Sequence, residues 1–180
     1  MDYSEKITCN MYFATITVVD WIDVFTRPIY KDIIVNSLNF CIANKGLVVY
    51  GWVIMTNHIH LLIGCDDDHS ITNIIRDFKT YTSRQIHKAI EDNIQESRKD
   101  WMLNRFTFAS LYDSKHQGFV FWQDGSHLLE ITTKEFYLQK LNYIHQNPVK
   151  QGFVKNAEDY VYSSAFAFGT SEALIEISRY

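Results

Sequence analysis

The stretch LVVYGWVIMTNHIHLLIG, residues 47–64, constrains the fold more than any other part of the chain. Two apolar runs, 47–55 and 59–64, flank a polar tip at Thr56-Asn57. Their Val, Ile, Tyr and Trp suit a pleated, buried surface, which predicts two adjacent strands joined by a tight turn. Strand side chains alternate between faces, so His58 and His60 point the same way. Such a pair can share a metal ion, clamp a phosphate, or sit on a solvated face. Apolar neighbours on both sides suggest a central strand, which seldom exposes two histidines without a use for them.

The remaining segments read as what surrounds that hairpin. Residues 11–20 predict a first strand, with Tyr12, Ala14, Ile16 and Val18 on one face. Ile34, Leu38 and Cys41 have helical spacing within 30–44; Pro28 stands near the start and Gly46 stops the helix. Asp66-Asp67-Asp68 reads as a solvated turn. Ser70 can cap a helix to about Ile90, with an apolar stripe of Ile71, Ile74, Ile75, Phe78 and Tyr81. Its other face gathers Arg76, Lys79, Arg84, His87 and Lys88 against Asp77 alone. Residues 91–118 read as a helical insertion, with a helix around 97–112. Residues 119–131 predict an apolar strand, a turn at Asp124-Gly125 and a short second run. Thr133 begins a last helix. Pro148 disfavours helix at the residue before it, so the helix is expected to end near Asn147. On that helix Tyr137, Leu141 and Ile144 form one stripe, and Phe136, Lys140, Tyr143 and Asn147 another.

The order β-α-β-β-α-(insertion)-β-α is close to the βαββαβ pattern. The expected fold class is α+β: a ferredoxin-like antiparallel sheet with helices packed on one face. The 180 residues favour one domain, 1–165, followed by a tail, 166–180. Cys9, Cys41 and Cys65 follow no metal-binding spacing and read as reduced core residues of a cytoplasmic protein. No apolar run is long enough to span a membrane, and the N-terminus lacks a signal-peptide pattern. The net charge of −4 argues against a large nucleic-acid footprint. Any DNA contact must then come from a local patch, and the basic face at Arg76, Lys79, Arg84 and Lys88 is the candidate. Gln123 and His127 could hydrogen-bond bases or phosphates. Trp52, Trp101 and Trp122 could stack on unpaired bases or fill the core.

Three segments together carry a family resemblance. NHIHLLI (57–63) resembles the His-hydrophobe-His motif of HUH single-strand endonucleases. YIHQNPVKQGFV (143–154) is similar to the tyrosine-bearing helix end of single-tyrosine transposases, closest to the REP-associated tyrosine transposases and related insertion-sequence enzymes. FWQDGSH (121–127) is similar to a segment between the two in that group. The resemblance implies that His58, His60 and Asn147 are ligands of a divalent metal, Mg²⁺ or Mn²⁺, although two imidazoles by themselves suit a later transition metal. It implies that Tyr143 is a nucleophile forming a 5′-phosphotyrosine on single-stranded or hairpin DNA. Relatives include monomers and dimers that share active sites, which leaves a homodimer open. A free phenol ionises only near pH 10, so a cation beside Tyr143 is expected, and Lys140, one turn earlier, is the candidate. Two rivals stand beside this reading: a domesticated module that grips DNA hairpins without cutting, and a metal-dependent phosphodiester hydrolase using water.

Overall fold

The computed structural model describes residue 7 and residues 10–112, 118–169 and 173–180. Cys9 and the 113–117 end of the expected insertion lie outside these. Four strands form one antiparallel sheet: β1 (Met11–Thr17), β2 (Leu47–Ile54), β3 (His58–Cys65) and β4 (His127–Glu130). Their order is β2-β3-β1-β4, the ferredoxin-like arrangement expected. β2 and β3 are the predicted hairpin, and β3 is central, paired with β2 on one side and β1 on the other.

Alternation along the strands gives the sheet two faces. Ala14, Ile16, Trp52, Ile54, Ile59, Leu61 and Ile63 face the major core. That core is closed by α1 (Pro28–Lys45), which ends at Gly46 in the left-handed conformation (φ 64°), and by α2 (Ile71–Asp92). α3 (Lys99–Ser110) adds Met102 and Phe106 to it from the insertion. Met11, Phe13, Val53, Met55 and Leu62 face the other way and pack against α4 (Lys134–Lys150). α1 and α2 therefore share a face as expected, while α4 covers the opposite one. The reason lies in the strands: β3 is buried on both faces, so each needs a cover.

Two elements differ from expectation. Residues 119–131 make no hairpin. Phe121–Gln123 pairs with 17–19 (Val19 N to Phe121 O 2.8 Å, Gln123 N to Thr17 O 2.8 Å), and β4 pairs with 12–15. Both pieces thus line one edge of β1, and 124–126 bulges out between them. The last helix runs through Pro148 to Lys150 instead of ending at Asn147. Proline there removes a single helical bond in the final turn. Buried Ile144, Asn147 and Pro148 hold that turn on the sheet, and Gln151 N donates to Asn147 O at 3.1 Å.

After α4 the chain passes a short helix, α5 (Ser164–Gly169). Ile175 is buried in the major core, and Ser178 N donates to Val49 O at 2.8 Å, so this stretch covers the free edge of β2. Cys41 is buried and Cys65 half-buried; both are free thiols. Among the described residues no helix is long and apolar enough to cross a membrane.

Candidate active site

His58 and His60 share the α4 face of β3, with ring centroids 4.7 Å apart. The strand registers set Thr17 opposite His58 and Thr15 opposite His60. Each imidazole has one nitrogen held. His60 Nδ1 lies 2.9 Å from Thr15 Oγ1. His58 Nδ1 lies 2.7 Å from Asn57 Oδ1. The Asn57 amide nitrogen donates to Asp23 Oδ1 at 3.0 Å and to the Trp21 carbonyl at 3.2 Å. That fixes Asn57 Oδ1 as the acceptor, so His58 carries its proton on Nδ1 and presents a lone pair at Nε2. His60 is 4% exposed, and its buried Nε2 has no hydrogen-bond partner. An orphaned buried polar atom costs on the order of 1–3 kcal/mol. Burial lowers the basicity of both rings; His60, also beside His58 and Lys140, is pushed down to about 3. Both are therefore neutral near pH 7, the form that binds metals.

α4 brings the phenol. Thr133 caps it, accepting from Phe136 N at 3.2 Å. Leu141 and Ile144 seat it on β2 at Gly51, where an added Cβ would lie 2.7 Å from Leu141 Cδ1. The Tyr143 ring then stands 5.1 Å from the His60 ring and 5.9 Å from Phe13, and is 40% exposed. Lys140 Nζ is 4.7 Å from the Phe13 ring and 5.9 Å from the Tyr143 ring. Lys150 Nζ also lies 5.9 Å from the Tyr143 ring. Lys150 is seven residues after Tyr143, on the same helix face, because the helix continues past Pro148. Phe13 opposes Leu62 in the sheet, so α4 steps from the Leu62 level at Lys140 to the His60 level at Tyr143. Asn147, one turn further along α4, is buried. Among the described residues no three His, Cys, Asp or Glu side chains gather as metal ligands. The two imidazoles share this face, and Asn147 lies one turn beyond Tyr143 on α4.

The candidate DNA-contact residues divide between the faces. Lys140 lies at the site. His127 is exposed on β4, opposite Thr15 and so on the histidine face. Arg76, Lys79, Arg84 and Gln123 line a cleft of about 670 Å³ between α2 and residues 119–126, away from Tyr143. There Lys79 Nζ donates to the Gln123 carbonyl at 2.9 Å, and Arg76 Nη2 to Asp77 Oδ1 at 2.9 Å. Lys88 is exposed further along α2 and does not line the cleft.

Sequence reasoning missed four neighbours of the site. Thr15 enters through strand register and Lys150 through the helix that passes a proline. Asp23 and Trp21 enter through the turn after β1. Trp52 and Trp122 are buried and Trp101 is exposed on α3, whereas Trp21 is 57% exposed with its ring 5.9 Å from His58. The backbone at Asp20 and Trp21 has φ of 54° and 55°. Such conformations cost non-glycine residues roughly 1–3 kcal/mol each and tend to mark functional sites. No local sequence signal announces them.

The family described as "Transposase IS200 like" matches residues 10–117, and the chain belongs to that family. No curated protein matches at the sequence level. A REP-associated tyrosine transposase, solved bound to a REP hairpin, shares the fold: 16% identity over 99% of this chain and 90% of that one, TM-score 0.63. A crystal structure described as a transposase from Deinococcus radiodurans R1 aligns over 80% of this chain and 92% of its own, with 18% identity and a TM-score of 0.44.

Proposed function

We propose that the chain is a single-strand DNA endonuclease and strand transferase of the REP-associated tyrosine type, acting on DNA hairpins. The carrying observation is convergence: Tyr143, some eighty residues along the chain from the pair, faces His60 at 5.1 Å between ring centroids. A phosphodiester resists attack because its oxygens are anionic. The orphaned His60 Nε2 and the neutral imidazoles fit a divalent ion, and His58, His60 and Asn147 would hold it. Mg²⁺ or Mn²⁺ bound there supplies Lewis-acid polarisation of a phosphoryl oxygen. Thr15 and Asn57 hold the two rings through Nδ1, which leaves both Nε2 atoms for a ligand.

The Tyr143 oxygen attacks phosphorus and loses its proton; the P–O3′ bond breaks, leaving a 5′-phosphotyrosine and a 3′-hydroxyl. The covalent bond keeps the phosphoester available for rejoining, which hydrolysis would discard. Lys140 and Lys150 each stand 5.9 Å from the ring centre and are proposed to attract the anionic phosphate to it. Lys140, His127 and the α2 cleft are the proposed DNA contacts, the cleft reached around the β4 edge.

The test is a covalent-adduct assay on hairpin-bearing single-stranded DNA. The expected protein–DNA band requires both a divalent metal and Tyr143. Binding without any cleavage would make the chain a hairpin-gripping module. Cleavage that survives Tyr143→Phe would make it a hydrolase.

A further inference from the structure

The segment between β1 and α1, residues 18–27, lies beside the histidine pair and carries two anomalies. Its backbone is left-handed at two consecutive non-glycine residues, Asp20 and Trp21 (φ 54° and 55°). This turn leaves an indole 57% exposed and edge-on to His58, at 5.9 Å between centroids. Folding alone favours neither feature, since burying an indole stabilises a fold and a left-handed turn strains it. The turn is also heavily tied down. Arg105 of α3 pairs with Asp20. Arg98 donates to the Asp23 carbonyl at 2.8 Å and to Thr26 Oγ1 at 2.9 Å. Asn57, already bound to His58, donates to the Trp21 carbonyl. The insertion between α2 and β4 thus grips the segment that carries the exposed ring.

We propose that Trp21 is a stacking platform for an unpaired DNA base next to the phosphate handled at His58, His60 and Tyr143, and that Arg105 of the insertion positions it. The inference rests on the proposed function, because it takes a single DNA strand as the ligand. Every base has a π-face, so a fixed indole gives affinity without reading sequence. The ring's place beside His58 puts the stacked base at the scissile step and not along the distant α2 cleft.

The test uses the full chain carrying Tyr143→Phe, in which no bond is broken, titrated with a short oligodeoxythymidine and with an abasic strand of equal length. Adding Trp21→Ala is expected to weaken oligodeoxythymidine binding by about 5- to 100-fold and to leave the abasic strand unaffected. Trp21→Phe should fall between. Arg105→Gln should weaken the same strand less, again sparing the abasic one; a direct phosphate contact by Arg105 would weaken both. Quenching of indole fluorescence by oligodeoxythymidine should vanish in Trp21→Phe and persist in Trp101→Phe. Equal losses on the two strands, no loss, or quenching that survives Trp21→Phe overturns the inference. If the adduct forms with Tyr143 intact while Trp21→Ala shows no base-dependent loss, only this inference fails. If stacking is seen and no adduct forms, only the proposed function fails.

Discussion

The two faces of the sheet are built for different ends. Among the described residues, twenty-nine buried side chains make up the α1/α2/α3 core, and eight make up the core under α4. The first face is apolar along β1, β2 and β3. The second begins apolar, at Met11, Leu62 and Phe13, and turns polar along the same strands at Thr15, Thr17, His60 and His58. Both faces are set by one alternation, yet only one carries the proposed site. Stability comes mainly from the thick face, since buried apolar area dominates the folding free energy. The thin face holds the partnerless His60 Nε2 beside a half-exposed phenol. The proposed site thus lies where packing is thinnest and a helix still reaches across.

This contrast can be broken by experiment. The largest effect is expected from Tyr143→Phe: complete loss of the covalent adduct with the thermal midpoint nearly unchanged, read by gel assay and calorimetry on one preparation. Ile34→Ala, fully buried on the thick face, should destabilise by about 2–5 kcal/mol in urea titration, and its folded fraction should retain the wild-type adduct rate. Thr15→Val should reverse that pattern. It removes the partner of His60 Nδ1 and should cost roughly 10–100-fold in Mn²⁺ affinity, measured by calorimetric titration, with a stability loss of about 1 kcal/mol, smaller than that of Ile34→Ala. Similar stability losses from Ile34→Ala and Thr15→Val would erase the distinction between the faces.

A pH prediction follows from His60. Its folded value is about 3 against an ordinary 6.5. Between those values the unfolded chain takes up the proton and the folded chain does not. Stability of the metal-free protein should therefore hold above pH 6.5 and fall as pH drops toward 3, by at most about 1.4 kcal/mol per unit from this ring. His58 is shifted in the same direction. His60→Gln should flatten the slope, and a slope that does not change would remove His60 from the account. The same shift should keep Mn²⁺ binding intact below pH 6, where exposed histidines would already be protonated. The smallest effect is expected from Lys140→Ala, a several-fold slower cleavage with an altered pH profile. An unchanged rate and profile would leave the phenol without help from that lysine.

Much of this was legible in the residues. The hairpin at 47–64, the Ile71, Ile74, Ile75 and Phe78 stripe of α2 and the Tyr137-Leu141-Ile144 stripe of α4 are periodic over enough residues to show which face is buried, although Tyr81, read into the α2 stripe, is exposed and Thr82 is buried in its place. His58 and His60 share a face because alternation is local. What failed to show was set by partners distant in the chain. Pro148 locally argues for a helix end; packing of Ile144 and Asn147 on the sheet overrides it and thereby delivers Lys150 to Tyr143. Residues 119–131 resemble a hairpin; pairing along β1 turns them into one interrupted edge. The basic face of α2 looks like the natural DNA surface, yet the sheet separates it from the phenol.

The sequence alone determined β1 to β3, the presence of the main helices and the pairing of two imidazoles on one side of β3. Those follow from side-chain period and backbone preference, which act between near neighbours. Only the tertiary structure decided which face α4 covers and which phenol meets His60. It also decided that the strained Trp21 turn stands beside His58, held by an arginine from the insertion. Those outcomes depend on strand register and on contacts between residues tens of positions apart, which no local pattern encodes.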